Sequence, residues 1–134
     1  MKPKISMITL GVSDLVRSLA FYRRWLGFEP HNYKDGELCV MFRLEGVWLA
    51  LYPCDSLAED AQVPPERSGF PGFTLAHNVK SKADADLVFA QAIAAGATSI
   101  KTPQDVFWGG YSGYIGDPDG FLWEVAFNPF TDLT

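Results

Sequence analysis

The chain has 134 residues, of which 48% are hydrophobic, 14% aromatic and 20% charged. That length suits one domain with its own core and leaves little room for two independent ones, and the apolar content excludes a disordered chain. The formal charge of -5, with 11 Lys and Arg that form no cluster, argues against a nucleic-acid partner, because phosphate recognition needs grouped cations.

Ile5 to Val12 is an apolar run that reads as a strand, and Ser13 or Asp14 then offers an N-cap for a helix over Leu15 to Leu26 that stops at Gly27. A weak strand is expected within Phe28–Lys34. Stronger ones follow at Glu37–Leu44 and Val47–Tyr52, joined by a tight turn at Glu45-Gly46. Pro53 to Gly69 is polar and carries Pro64-Pro65, which reads as a surface connection rather than an element. Beyond it come a strand at Phe73–Val79 and Ser81 as N-cap with Asp84 three residues on. The helix that follows runs through Phe89 and Ile93 and stops at Gly96. Strands near Thr98–Phe107, Tyr111–Gly116 and Phe121–Phe127 complete the chain, the last two joined by the turn sequence Asp117-Pro118-Asp119-Gly120.

The order β, α, β, β, β therefore occurs twice. Its landmarks keep nearly constant offsets: 68 residues from Ser13 to Ser81, 69 from Gly27 to Gly96, 74 from Gly46 to Gly120. We read the chain as one domain over residues 1–134, with modules at about 5–52 and 70–127 and a connection at 53–69. Cys39 and Cys54 show no CxxC spacing and read as free thiols. No basic stretch leading into an apolar segment opens the sequence, and no apolar run reaches the roughly 18 residues of a membrane span. The expectation is a cytoplasmic protein with no membrane partner.

The strings Val12-Ser13-Asp14-Leu15, Arg17-Ser18, Phe21-Tyr22, Leu26-Gly27 and, above all, Asp117-Pro118-Asp119-Gly120 followed by Glu124 resemble the vicinal oxygen chelate superfamily of glyoxalases, bleomycin-resistance proteins and extradiol dioxygenases. The resemblance covers about residues 5 to 127. Phe107-Trp108-Gly109-Gly110-Tyr111-Ser112-Gly113-Tyr114 also looks like a subgroup described only as glyoxalase-like. The implied fold is α+β: two tandem βαβββ modules forming a half-open, barrel-like sheet around a cavity. Homodimerisation is implied as well, and the open edges of two half-units point the same way.

Strand alternation sorts the residues by face. Ile8, Leu10 and Val12 share one side of the first strand, Met7 and Thr9 the other. Val47, Leu49 and Leu51 are expected on a helix, which leaves Trp48, Ala50 and Tyr52 opposite. Phe121, Trp123, Val125 and Phe127 are likewise expected on a helix, with Leu122, Glu124 and Ala126 on the concave side. Metal-dependent members of the resembled family place one His, Gln or Glu ligand on the first and one on the last strand of each half. Those positions here are Met7, Ala50, Phe73 or Thr74, and Glu124, and Gly46 to Ala50 matches Gly120 to Glu124 at four residues each. One carboxylate, even supplemented by His77, falls short of the three ligands a first-row metal generally needs. Neither a metal nor another cofactor is expected.

Glu124 reads as a general base or ligand anchor, since an ionised carboxylate in an apolar strand is costly without a partner. It also reads as a structural acceptor. His77 is either a proton shuttle or a satisfied strand histidine. His31, in a loop-like stretch, shows no evident partner and reads as a surface residue. Trp48, Tyr52, Trp108, Tyr111 and Tyr114 form either an aromatic wall for a ligand or packing in core and dimer. Gly109-Gly110 lacks the phosphate-loop pattern, and Ser112 lies in no GxSxG elbow. Expected catalytic residues are Glu124 and His77; expected ligand-binding residues are Met7, Thr9, Trp48, Ala50, Tyr52, Phe73, Trp108, Tyr111 and Leu122. The leading expectation is a metal-independent protein that binds an unidentified small molecule. The alternative is a metal-independent lyase or isomerase with Glu124 as general base, and a metal-dependent glyoxalase or dioxygenase ranks third.

Overall fold

A computed structural model describes all residues, Met1–Thr134. It is α+β, with a three-stranded and a four-stranded sheet, neither closed into a barrel. The chain divides into two compact units, Met1–Arg67 and Ser68–Thr134.

In the first unit, β1 (Met7–Val12) leads into α1 (Leu15–Leu26). Asp14 is the cap: its carboxylate accepts from the Arg17 N–H at 3.0 Å, a contact that typically contributes about 1 kcal/mol. Gly27 ends the helix in the left-handed region at φ 66. β2 (Val40–Phe42) and β3 (Trp48–Pro53) give the order β1-β3-β2, with β1 parallel and β2 antiparallel to the central strand. Tyr22 of α1 lies 6.1 Å from Phe42, which pairs with Leu49, so α1 covers the Val40, Phe42, Leu49 and Leu51 side as alternation anticipates. Tyr22, Phe42, Leu51 and Val40 are fully enclosed there.

Two expectations for this unit are corrected. The segment read as a plain connection contains α2 (Cys54–Ala61), directly after β3. Its start lies against β1, and a Cβ on Gly11 would come within 3.2 Å of the Cys54 Cα, so residue 11 has to be small. The strand expected within Phe28–Lys34 reduces to an isolated bridge between Pro30 and Phe42, and the Glu37–Leu44 strand shortens to three residues. Both lie at the sheet edge, where pairing is available on one side only.

In the second unit, β4 (Leu75–Val79) leads into α3 (Lys82–Ala94), capped by Ser81, whose hydroxyl accepts from the Asp84 N–H at 3.0 Å. β5 (Thr98–Asp105), β6 (Tyr111–Gly116) and β7 (Leu122–Phe127) complete the order β4-β7-β6-β5. Asp117 is buried in the β6–β7 turn and accepts from the N–H groups of Asp119 and Phe121, which explains why the Asp-Pro-Asp-Gly string is so specific. The edge strand β5 carries register shifts between Ser99 and Gln104 and holds Pro103. There its backbone crowds Gly113: an added Cβ would sit 2.7 Å from the Lys101 carbonyl oxygen. No helix is long and apolar enough to cross a membrane.

Candidate functional site

Parallel register sets the faces of the first sheet. Met7 pairs with Trp48, Thr9 with Ala50 and Gly11 with Tyr52, while Met41 of β2 pairs with Ala50. All of them lie on the side away from α1. This face is apolar: a thioether at each flank, an indole, a phenol and the exposed Thr9 hydroxyl. The structure adds a residue that sequence reasoning set aside. His31 is half-buried, and its ring stands edge-on to Trp48 with centroids 5.0 Å apart and planes at 68°. The reading of His31 as a surface residue without a partner is therefore corrected. No local pattern could reveal it, because the contact joins a loop to a strand 17 positions away.

In the second sheet Tyr111 fixes the faces. Its hydroxyl donates to Asp86 of α3 at 2.6 Å, so α3 lies on the side of Tyr111, Gly113 and Ile115 and of their β7 neighbours Phe127, Val125 and Trp123. His77 pairs with Val125 and belongs to this helix-covered side; burial lowers its pKa below the usual 6.5. Phe73 lies there too, its ring 6.1 Å from Phe121. Glu124 points to the other face, beside Ala76 on β4 and Tyr114 on β6. Glu124 and His77, the two residues expected to be catalytic, lie on opposite sides of the sheet, one residue of register apart. Tyr111, expected beside Tyr114 in an aromatic wall, lies on the helix-covered side instead, opposite Tyr114. Its phenol, held by Asp86, is raised above the usual 10 by that hydrogen bond first and by burial and nearby carboxylates after it.

Leu122, Glu124 and Ala126 share their face with Ser112 and Tyr114. Burial first, and the Glu124 charge second, raise the Tyr114 phenol above 10, so its hydroxyl stays a hydrogen-bond donor beside an acceptor. Trp108 lies in the loop before β6 with its ring over Gly110, and Phe107 next to it is fully exposed. A cleft of about 460 Å³ opens where the C-terminal segment passes the ends of β4 and β7, lined by Asn78, Lys80, Phe127, Phe130 and Asp132 among others; none of the expected site residues borders it.

Register also aligns the two units position by position. Met7 faces Trp48, two residues before Ala50; continuing the β4–β7 register by one step puts Thr74 opposite Leu122, two before Glu124. Thr74 rather than Phe73 is thus the counterpart of Met7. The four corresponding positions carry a thioether, a methyl, a hydroxyl and a carboxylate, and no group of three or more His, Cys, Asp or Glu side chains is placed to hold a metal ion. A thioether with a methyl in the first unit, and a hydroxyl with a single carboxylate in the second, fall short of the three ligands that a first-row metal generally needs.

Residues 4–125 match the family model of the glyoxalase/bleomycin resistance protein/dioxygenase superfamily. The chain belongs to this superfamily. A glyoxalase-related enzyme from Fulvimarina pelagi is similar over 99% of the chain and 94% of its own length, at 32% identity and a TM-score of 0.90. A glyoxalase/bleomycin resistance protein/dioxygenase family enzyme from Burkholderia phytofirmans PsJN is 25% identical, with 92% and 98% of the two chains covered and a TM-score of 0.83. A lactoylglutathione lyase from Agrobacterium tumefaciens is 27% identical over 96% of each chain, with a TM-score of 0.70. Among curated protein sequences none matches the chain significantly. Within the superfamily, membership accounts for the duplicated strand order but assigns no reaction, because the same fold supports unrelated chemistries.

Proposed function

We propose that this chain is a metal-independent small-molecule binding protein of the glyoxalase and bleomycin-resistance type, with Glu124 as its polar anchor. The observation that carries the reading is the pairing of Glu124 with Tyr114 on the face away from α3, where a carboxylate and a neutral phenol stand side by side. One accepts and the other donates, so together they recognise a ligand group that offers both a donor or positive charge and an acceptor. Leu122 flanks them with half-buried apolar surface, while Ala126 is itself buried. Met7, Thr9, Trp48 and Tyr52 serve the same role on the first sheet, as contact area rather than charge, with the buried Ala50 between them.

The second reading, a metal-independent lyase or isomerase, draws on the same pair: a carboxylate that takes a proton next to a phenol that stabilises the developing oxyanion. His77 has no part in it. Metal content separates both readings from metal-dependent chemistry. Protein exposed to Zn, Ni, Mn and Fe and then desalted should retain far less than one metal per chain; stoichiometric metal that disappears in Glu124→Gln overturns the proposal. Homodimer formation belongs to the same reading, supported by exposed Phe107, Phe130 and Ile5. Light scattering at micromolar concentration should give twice the chain mass, and a monomer would count against it.

A further inference from the structure

His31 sits in a loop, yet three restraints hold its ring. Its backbone N–H donates to the Met41 carbonyl at 2.7 Å, and the preceding Pro30 bridges to Phe42, so the loop is fastened to β2. Asn32 adopts φ 52, in the left-handed region that non-glycine residues rarely enter and that Asn tolerates best. In that conformation the Asn32 Nδ2 lies 3.3 Å from His31 Nε2. The third restraint is the edge-on contact with Trp48.

The Asn32 amide nitrogen only donates, so Nε2 accepts and the proton of the neutral imidazole sits on Nδ1. Nδ1 makes no hydrogen bond within the protein and is not sealed away from solvent. A loop conformation that is costly for most residues thus leaves one oriented, unused N–H donor at the rim of an aromatic surface. Across the sheet Met7 pairs with Trp48, and a thioether beside an indole makes a polarisable shelf suited to flat π systems.

We propose that His31, Asn32 and Trp48 form a recognition site for a planar, oxygen-bearing organic group such as an aromatic carboxylate or conjugated carbonyl. The flat part packs on Trp48 and Met7, and the oxygen accepts from His31 Nδ1–H. Asn32 is a positioning residue that fixes the tautomer. The assignment deepens the small-molecule reading and rests on it, but it concerns the first sheet and does not involve Glu124.

Benzoate is the probe, titrated into isotopically labelled full-length protein while side-chain resonances of His31 and Trp48 are followed. Wild type should show saturable shifts at His31 Nδ1 and the Trp48 indole N–H, with nitrogen shifts marking the Nδ1–H tautomer before ligand is added. His31→Phe keeps a flat ring against Trp48 and should weaken benzoate about tenfold, the usual cost of one lost hydrogen bond to a charged acceptor. Asn32→Gly keeps the left-handed backbone without the amide. It should return His31 to the tautomer mixture of an unconstrained imidazole and weaken benzoate by a smaller factor. Absence of saturable shifts at His31 and Trp48, or equal affinity in His31→Phe, overturns the site. Neither result touches the small-molecule reading, which fails separately if no ligand of any class depends on Glu124.

Discussion

The sheets of the two units are built alike and furnished differently. In each, the first strand runs parallel to the last, a helix covers one side, and corresponding positions fall at the same register. On the side away from the helix, however, the first sheet carries Met7, Trp48, Ala50 and Tyr52, whereas the second carries Thr74, Leu122, Glu124 and Tyr114. The first offers polarisable contact area, and the second offers a carboxylate beside a phenol. A duplicated scaffold thus keeps the register positions while the chemistry at those positions diverges, which is why family membership gives the fold and not the reaction.

The helix-covered sides set the largest expected effects. Phe42 is fully enclosed and touches both Tyr22 and Phe28, so Phe42→Ala should cost about 3–5 kcal/mol by denaturant unfolding. Ile115→Val, at a fully enclosed site of the second sheet, should cost only about 0.5–1.5 kcal/mol. Gly113→Ala tests the irregular β5 edge, which has no counterpart in the first sheet: its Cβ meets backbone rather than a movable side chain, and a loss of about 1–3 kcal/mol is expected.

Smaller effects sharpen the contrast between contact area and charge. Trp48→Ala should weaken an identified ligand about tenfold without altering the pH dependence of binding, since it removes area only. His77 contributes through pH instead. Its folded pKa lies below the usual 6.5, so the unfolded chain takes up the proton more readily; stability is fully present above about 6.5 and falls as pH drops through the folded value. His77→Gln should flatten that acid limb in thermal melts and leave ligand affinity unchanged.

Local chemistry made much of this legible in the sequence. The caps at Asp14 and Ser81, the left-handed Gly27 and the Asp117 turn each rest on interactions within a few residues, and together they expose the duplication. The faces of β1, β3 and β7 followed from alternation because one alternating set in each is uniformly bulky and apolar: Ile8-Leu10-Val12, Leu49-Leu51 and Trp123-Val125-Phe127. β4 and β6 have no such contrast. Leu-Ala-His-Asn-Val and Tyr-Ser-Gly-Tyr-Ile-Gly mix polar and apolar residues on both sides, so only register with β7 shows that His77 and Tyr111 turn toward α3. α2 was hidden because Pro53 precedes it, no side chain caps it and it is only eight residues long. The His31–Trp48 contact depends on tertiary placement alone.

Native mass spectrometry of wild type and Glu124→Gln, purified side by side, addresses the central claim most directly. The substitution keeps shape and removes charge. The account predicts a small organic ligand on the wild-type protein, no stoichiometric metal, and loss of most of that ligand from a Glu124→Gln protein that melts at nearly the same temperature. Equal retention of the ligand by both proteins would make Glu124 a structural residue and contradict the account at its centre.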